Sequence, residues 1–410
     1  MLISKDHYLF YSRYFHCIAF AVIVLGFFFS CKRTIQKVDD VNWNPPSNES
    51  FNDSITLKTE KTLKLILDSA NILYYETCQY DAKNNIVVSY NSANSNMLLF
   101  DYVSGKLKQK INLVGLGIKP KHPGDQKAYS FNFVNSDSIF FYDHRSEKVV
   151  LFDTSTKVLK KYLLSSNENG YSKGIIVMGE LLSVGGDSLY VASAPGRRVL
   201  DQFAPLRENL VLTTSLSTAA SRPTIRYPDI YRKAKWGYYL HKFHMLYNSE
   251  NNIVVISYPV DHFLNIYDSS GRCYRYYAGG KGMRPIKPLR FLSDNTPVGK
   301  DEDAVNFRSQ RTYGTILYDR FRHLYYRVIS SAIPEKDMER SLDPSYKKEQ
   351  PMTIVILNSS FVKVGEVAID ANKYSTTSMF VSHEGLCVPL TKSNDDNLFF
   401  DVFSVQPVKK

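Results

Sequence analysis

The sequence has little cysteine, five residues in 410, and this scarcity excludes a fold held together by disulfides. Cys17 and Cys31 lie in or beside an N-terminal apolar run, so the body of the chain keeps Cys78, Cys273 and Cys387. Three cysteines permit one disulfide at most, which leaves at least one free thiol. No CxxC pair and no Cys/His spacing typical of a metal site occurs. We therefore expect neither a structural metal nor a cofactor.

Motifs of catalysis and nucleotide binding are missing as well. The sequence contains no GxSxG, P-loop, HExxH or EF-hand pattern, so no residue receives a catalytic assignment. His241 and His244 would share one face of a helix, but no carboxylate follows at a useful spacing, and on a strand they point apart. Asp261 and His262 are adjacent, so on a strand their side chains also diverge. No metal site is expected from these residues.

The N-terminal apolar run is shorter than a membrane-spanning helix, which needs about 20 residues. Residues 17–29 follow basic residues and have the length of a signal-peptide core. Ser30 and Cys31 then match the border at which bacterial lipoproteins are cleaved and lipidated, although Phe28 stands where leucine is favoured. We predict that Cys31 becomes the mature N-terminus and carries a lipid.

Three segments follow from this reading. We predict a signal peptide over 1–30, a lipid-anchored flexible tether over 31–53 and one folded domain over 54–405. The tether is rich in Asn, Pro and Ser, so it cannot bury enough apolar surface to fold. An uncleaved anchor helix and a cleaved secreted protein are the alternatives for the N-terminus. All three interpretations place the folded domain outside the cytoplasm.

Aromatic residues and positive charge are abundant. The chain has 29 Tyr and 24 Phe, which together with Val and Ile favour β-strands. Its net charge of +11 is spread along the sequence and suggests anionic partners at a surface. No nucleic-acid-binding module is present, and export makes nucleic acid an unexpected partner.

A short repeat runs through the predicted domain, in which a polar pair opens an apolar strand. The first apolar residues of these strands are Ile86, Ile139, Leu189, Ile253, Leu324 and Leu386. In three copies a second strand follows and ends in aspartate, at Asp101, Asp153 and Asp268. An aspartate at the start of a turn can accept a hydrogen bond from the backbone two residues on. Each unit therefore reads strand, turn, strand, turn, strand.

Six such units predict an all-β fold, a β-propeller with six blades of four-stranded antiparallel sheets. The intervals between units exceed those of compact blades, so we place inserts near 195–245 and 331–351. The alternating stretch 54–67 has no repeat of its own and could close the ring by adding a strand to the last blade. Two sandwich domains or a seven-bladed ring are the alternatives.

The signal-like start, the cysteine, the tether and this repeat together resemble the six-bladed propeller lipoproteins of Bacteroidota. Many of these are domains of unknown function, and Gly-rich crossings followed by proline, here at 114–124 and 277–288, also occur in NHL-type propellers. The resemblance implies a propeller in the cell envelope, anchored to the outer membrane through Cys31, and no known reaction. Surface-exposed members often carry acidic residues after the cysteine. Lys32-Arg33 here favour the periplasmic face.

The segment 222–244 is the candidate ligand site, because basic and aromatic residues alternate in it. Tyrosine and tryptophan can stack on sugar faces or hold cations, and arginine matches carboxylates and phosphates. The candidate binding residues are Arg226, Tyr231, Arg232, Lys235, Trp236, Tyr238, Tyr239 and His241. The alternative is that the aromatic residues pack the insert onto the blades while the lysines stay solvated.

Three functions follow from these patterns. The leading hypothesis is a non-catalytic scaffold that binds a protein, peptide or glycan near the outer membrane. The second is a lyase or hydrolase acting on an anionic polysaccharide, in which a tyrosine of the insert donates a proton. The third is a structural partner in envelope assembly.

Overall fold

The computed structural model describes residues 53–67, 75–120, 129–143, 146, 148–164, 182–192, 209–294, 296, 298–299, 301–343, 350–375, 377–394 and 396–408. The predicted signal segment 1–30, Cys31 and the tether up to residue 52 lie outside these ranges. Within them, no helix has the length and apolar character needed to cross a membrane.

The strands form six four-stranded antiparallel sheets, which are the blades of a propeller and confirm the predicted fold. After β1 (Ile55–Ile66), blade 1 contains β2 (Tyr75–Asp81), β3 (Ile86–Asn91), β4 (Asn96–Asp101) and β5 (Leu107–Asn112). Blade 2 contains β6 (Tyr129–Asn135), β7 (Ser138–Asp143), β8 (Lys148–Phe152) and β9 (Val158–Leu163). Blade 3 contains β10 (Ser183–Gly185), β11 (Ser188–Ala192), β12 (Asn209–Ser215) and β13 (Ser221–Arg226).

A short strand, β14 (Ala234–Lys235), precedes blade 4. Blade 4 contains β15 (His244–Asn248), β16 (Ile253–Ser257), β17 (Phe263–Tyr267) and β18 (Cys273–Tyr277), and β19 (Arg290–Phe291) follows it. Blade 5 contains β20 (Thr312–Asp319), β21 (Leu324–Ser330), β22 (Met352–Leu357) and β23 (Lys363–Ile369). Blade 6 contains β24 (Phe380–Val381), β25 (Leu386–Pro389), β26 (Asn397–Pro407) and β1.

The sequence repeat corresponds to the second and third strands of the blades. Each of the six predicted apolar starts is the first or second residue of a second strand. The three closing aspartates begin turns, as predicted, and accept backbone N–H groups from Ser104 at 2.8 Å, Ser155 at 2.9 Å and Ser270 at 2.9 Å. Hydrogen bonds from these serines lower the pKa of all three carboxyl groups, chiefly from the backbone N–H of Ser104 to Asp101 and from the hydroxyls of Ser155 and Ser270 to the other two. What recurs in the sequence is thus the set of residues that form the turns between strands.

The ring closes through its two ends. β1 pairs antiparallel with β26 from Ile55 opposite Pro407 to Ile66 opposite Asn397, as the outermost strand of blade 6. Leu63 and Leu65 are buried in the apolar cluster between blades 6 and 1. The first and last described strands therefore share one sheet, which leaves no unfinished blade at the closure.

The predicted inserts are partly corrected. Residues 209–226 lie in the range assigned to the first insert, yet they form the outer strands β12 and β13 of blade 3. The sequence of β13, SRPTIR, does not indicate a strand, because an outermost position requires little apolar surface. The described insert in this range is therefore 227–243. Its strand β14 pairs with β19, which lies in the connection 278–311 between blades 4 and 5. The sequence does not predict this connection as an insert. That connection also contains helix α1 (Glu302–Arg308).

The second predicted insert, near 331–351, lies between β21 and β22 of blade 5. Its described part contains helix α2 (Glu335–Ser341). Both helices have seven residues, which agrees with the weak helical periodicity of the sequence.

Neighbouring blades pack through apolar clusters, but the interface of blades 4 and 5 contains a buried arginine. The side chain of Arg327 donates to the hydroxyl of Ser257 at 3.0 Å and to four backbone carbonyls, those of Tyr258, Asp261, His262 and Ala278, at 2.7–3.4 Å. Its guanidinium carbon lies 3.6 Å from the centre of the Tyr313 ring. Burial lowers the pKa of Arg327 to about 10. One side chain therefore fixes the loop after β16.

Candidate binding site at the channel mouth

The innermost strands of the six blades surround a central channel, and a cavity of about 260 Å³ opens at one end of it. Each innermost strand supplies at least one lining residue: Tyr80, Asn132, Ser183, Tyr247, Tyr318 and Val381. The turns that follow these strands in blades 1, 4 and 5 also line it, through Ala82, Ser249, Glu250, Arg320 and Phe321. We call this end the channel mouth.

Three of these turns share one construction, which we call the tyrosine turn. Each starts with a tyrosine and an Asp or Asn at the end of the innermost strand, and ends five residues after the tyrosine in Asn or His. The hydroxyl of Tyr80 donates to Asn85 Oδ1 at 2.8 Å, and that of Tyr247 to Asn252 Oδ1 at 2.7 Å. In blade 5, the hydroxyl of Tyr318 lies 3.1 Å from Nδ1 of His323.

The backbone of the tyrosine turns explains why these residue types occur. The Asp or Asn after the tyrosine accepts the N–H two residues on, at 3.1 Å from Lys83, 2.9 Å from Glu250 and 3.0 Å from Phe321. The last residue of each turn has φ of 52–53°, a left-handed conformation that Asn, Asp and His adopt more readily than most residues. The hydrogen bond between the tyrosine hydroxyl and the last residue of the turn thus fixes both the turn and the ring, and the three rings line the mouth in fixed positions.

Charged side chains gather around the tyrosine of blade 5. Glu250 accepts the hydroxyl of Tyr318 at 2.5 Å and lies 3.3 Å from His323. Arg320 approaches the same carboxylate at 3.8 Å and keeps 60% of its side chain exposed. Burial and the hydrogen bond to Glu250 both raise the pKa of Tyr318, so it remains a neutral donor. Because most of its side chain is exposed, Arg320 can contact an anionic group at the mouth.

A second polar and aromatic group lies on the rim where blades 6 and 1 meet. The hydroxyl of Tyr80 lies 2.6 Å from Nδ1 of His383, an exposed residue in the turn between β24 and β25. Tyr102 donates to Glu384 at 2.6 Å, and Lys61 of β1 pairs with the same carboxylate at 2.5 Å. The rim thus connects the ring-closing strand to the tyrosine turn of blade 1.

A cysteine and a glutamate are among the residues that line the cavity. Cys78 is buried and donates to Ser89 Oγ at 3.4 Å, and burial raises its pKa to about 12, so it stays a thiol. Glu250 is the single carboxylate among the described lining residues. Glycoside hydrolysis commonly uses a pair of carboxylates about 5–10 Å apart.

The aromatic core of the predicted site in 222–244 is buried in the insert. Trp236 has no exposed surface and donates from Nε1 to the carbonyl of Ile230 at 3.1 Å. Tyr231 is also buried, and its hydroxyl donates to the carbonyl of Leu240 at 2.7 Å. In this structure both rings pack the insert, so neither offers a face to a ligand.

The other predicted residues lie around that core. Arg226 and Arg232 are exposed, and Arg232 lies 3.7 Å from Asp229. Lys235 donates to the carbonyl of Asp294. The ring centres of Tyr238 and Tyr239 lie 4.4 and 5.0 Å from Nζ of Lys242. Burial lowers the pKa of His241, the last of the predicted residues, to about 4. Their role in binding stays a prediction.

The insert and the channel mouth lie at opposite ends of blade 4. The insert leads into β15 at His244, whereas the tyrosine turn begins at the other end of this strand, at Tyr247. The sequence does carry a signal for the mouth, since YDAKNN, YNSENN and YDRFRH recur at 80, 247 and 318. The last two residues of each are the polar pair that opens the repeat, and the tyrosine four residues before that pair is the part of the signal that the apolar-strand repeat leaves out.

Comparison with known proteins places the chain among propellers of unknown function. Residues 53–367 match the family described as "Domain of unknown function (DUF4221)". A crystal structure of a DUF4221 family member from Bacteroides vulgatus covers 87% of this chain and 100% of its own, with 16% identity and a TM-score of 0.68. A structure from Bacteroides fragilis, named as an exported protein, covers 88% and 98%, with 15% identity and a TM-score of 0.52. No curated protein matches the chain.

Proposed function

This chain belongs to the DUF4221 family, and we propose that it is an exported, lipid-anchored binding protein whose propeller binds the terminal sugar of an acidic glycan at the channel mouth. The observation that carries the proposal is the set of three tyrosine turns, which fix Tyr80, Tyr247 and Tyr318 around one cavity. Rigid aromatic side chains lose little entropy on binding, and they combine an apolar ring with a polar tip.

The size and chemistry of the mouth support a sugar ring. Pockets for drug-sized ligands have volumes of about 300–1,000 Å³, so a cavity of about 260 Å³ suits one ring of a longer chain. A pyranose has apolar C–H faces, which tyrosine rings can cover, and a hydroxyl edge, which Asn132 and Ser183 can bond. Arg320, exposed at the mouth, matches a sugar carboxylate.

The proposed location follows from the N-terminus. A basic start, a short apolar run and Ser30-Cys31 favour export and lipidation at Cys31. The structural relative from Bacteroides fragilis, named as exported, is consistent with this location. The periplasmic face of the outer membrane remains our preferred side, because Lys32-Arg33 follow the cysteine.

The test is a binding screen of the purified chain against acidic and neutral glycans and against peptides. We expect saturable binding of an acidic glycan that weakens at least tenfold in Arg320→Ala, because a hydrogen bond to a charged group contributes about 1.5–3 kcal/mol. Arg232→Ala, an equal change in the insert, is the matched control and should bind as the wild type does. Selective peptide binding, or loss only in Arg232→Ala, would contradict the proposal.

A further inference from the structure

The outermost strands of three neighbouring blades carry a concentration of lysine. β1 of blade 6 contributes three lysines, β5 of blade 1 two and β9 of blade 2 two, against a single acid, Glu60. These residues are Lys58, Lys61, Lys64, Lys108, Lys110, Lys160 and Lys161. All are exposed except Lys160, which is partly buried. We call this side of the propeller the lysine wall.

The opposite side of the ring is different. The outermost strands of blades 3, 4 and 5 are β13, β18 and β23, which together carry four basic residues and one acid. Basic residues on an edge strand prevent edge-to-edge aggregation. The three outermost strands of blades 3, 4 and 5 are protected with fewer basic residues than those of blades 6, 1 and 2. Protection of edges therefore does not explain why the charge is concentrated on blades 6, 1 and 2.

Aliphatic side chains are exposed among these lysines. In β9, Val158, Leu159 and Leu163 are 38%, 47% and 54% exposed. Val103, in the turn before β5, is 78% exposed, and Ile66 at the end of β1 is 41% exposed. Lysines interleaved with exposed aliphatic residues are typical of surfaces that lie at a membrane interface. A highly charged soluble polyanion offers nothing to the aliphatic residues.

We propose that the lysine wall docks the propeller onto an anionic lipid surface. The chain leads into the propeller at blade 6, since β1 directly follows the segment predicted to link it to a lipid at Cys31. The proposed anchor would keep the propeller close to lipid headgroups, and the lysine wall is the side through which we infer that it docks. A basic patch is a common second contribution to membrane binding beside a lipid anchor.

This arrangement has a consequence for the channel mouth. The outermost strands form the side of the propeller, so docking through them sets the channel axis parallel to the membrane. Both ends of the channel then remain open to the aqueous phase. The docking does not depend on the ligand proposed for the mouth.

The test measures partitioning of residues 32–410, which lack the predicted signal and lipid, onto sedimented vesicles. Vesicles of phosphatidylcholine alone are compared with vesicles of equal phosphatidylcholine and phosphatidylglycerol. We expect binding only to the second, decreasing with salt. A lysine at an anionic surface contributes about fivefold to binding, so Lys58→Gln, Lys108→Gln and Lys161→Gln together should weaken partitioning by about tenfold to a hundredfold.

The matched control removes the same charge from the connection after blade 4 and from the insert of blade 5. Arg284→Gln, Lys287→Gln and Lys336→Gln should leave partitioning within about twofold of the wild type, because these exposed residues lie outside the lysine wall. Circular dichroism shows whether both triple variants fold. Equal loss in both would attribute binding to net charge and overturn the proposal. Absence of vesicle binding, or binding to soluble heparin but not to vesicles, would also overturn it.

Discussion

Replacing the buried Arg327 with methionine should be among the most destabilising single changes in the molecule. Methionine is apolar and flexible, so it can occupy part of the space between blades 4 and 5. It cannot replace the donors to Ser257, to three carbonyls of the loop after β16 and to the carbonyl of Ala278 after β18. The substitution removes a buried charge, which is favourable, but it leaves the partners of that charge in place.

The magnitude follows from those partners. A buried acceptor that loses its donor costs about 1–3 kcal/mol. Two of the carbonyls keep another bond, since His262 accepts from the N–H of Ala278 at 2.9 Å and Tyr258 from that of Asp261 at 3.3 Å. The favourable contact of the guanidinium with Tyr313 is also lost. We therefore expect a decrease of about 3–5 kcal/mol in the free energy of unfolding.

The assay is chemical denaturation followed by tyrosine and tryptophan fluorescence. Arg272→Met is the control, because Arg272 is exposed in a turn of blade 4 and should change stability by less than about 0.5 kcal/mol. If Arg327→Met cost under 1 kcal/mol, or no more than the control, the role assigned to the buried arginine would be wrong.

Three further predictions concern the core, pH and thiols. Leu65→Ala should cost about 2–5 kcal/mol because Leu65 is buried at the ring closure, whereas Ile66→Ala, at a 41% exposed neighbour, should cost far less in the same denaturation assay. Burial lowers the pKa of His262 to about 4, so the unfolded chain takes up the proton first, and stability falls as pH drops from 6.5 towards 4. His262→Gln should remove about 3 kcal/mol of that fall, and an unchanged pH profile would refute the assignment. Maleimide should label Cys273 in the native protein but not the two buried thiols of the described chain, as mass spectrometry after digestion can show.

The strand pattern was predictable where local chemistry repeats. The apolar starts such as Ile86 and Ile253 mark second strands, because the turn before them and the aspartate turn after the third strand are encoded within about 20 residues. The ring-closing strand was also recognisable from its alternation. By contrast, the outermost strand β13 carries few apolar residues, since an outermost strand buries little. The sequence alone placed β13, and β12 before it, in an insert.

The ligand site was harder to predict from the sequence. Trp236 and Tyr231 attracted attention because they stand among basic residues, yet a long insert needs its own apolar core, and they form part of it. The channel mouth is assembled from strands that are far apart in sequence, such as those bearing Tyr80 and Tyr318. Only the ring brings them together, although the recurrence of tyrosine five residues before Asn or His was a local signal of it.

Blocking the channel tests the central claim most directly. Thr315 lines the cavity, and Thr315→Trp would fill the mouth from the innermost strand of blade 5, whereas Thr218→Trp places the same side chain on an exposed turn of blade 3. The measurement is calorimetric titration of both variants with the tightest glycan from the screen. We predict that Thr315→Trp abolishes binding while Thr218→Trp binds as the wild type does. Unchanged affinity in a folded Thr315→Trp variant would show that the ligand binds elsewhere.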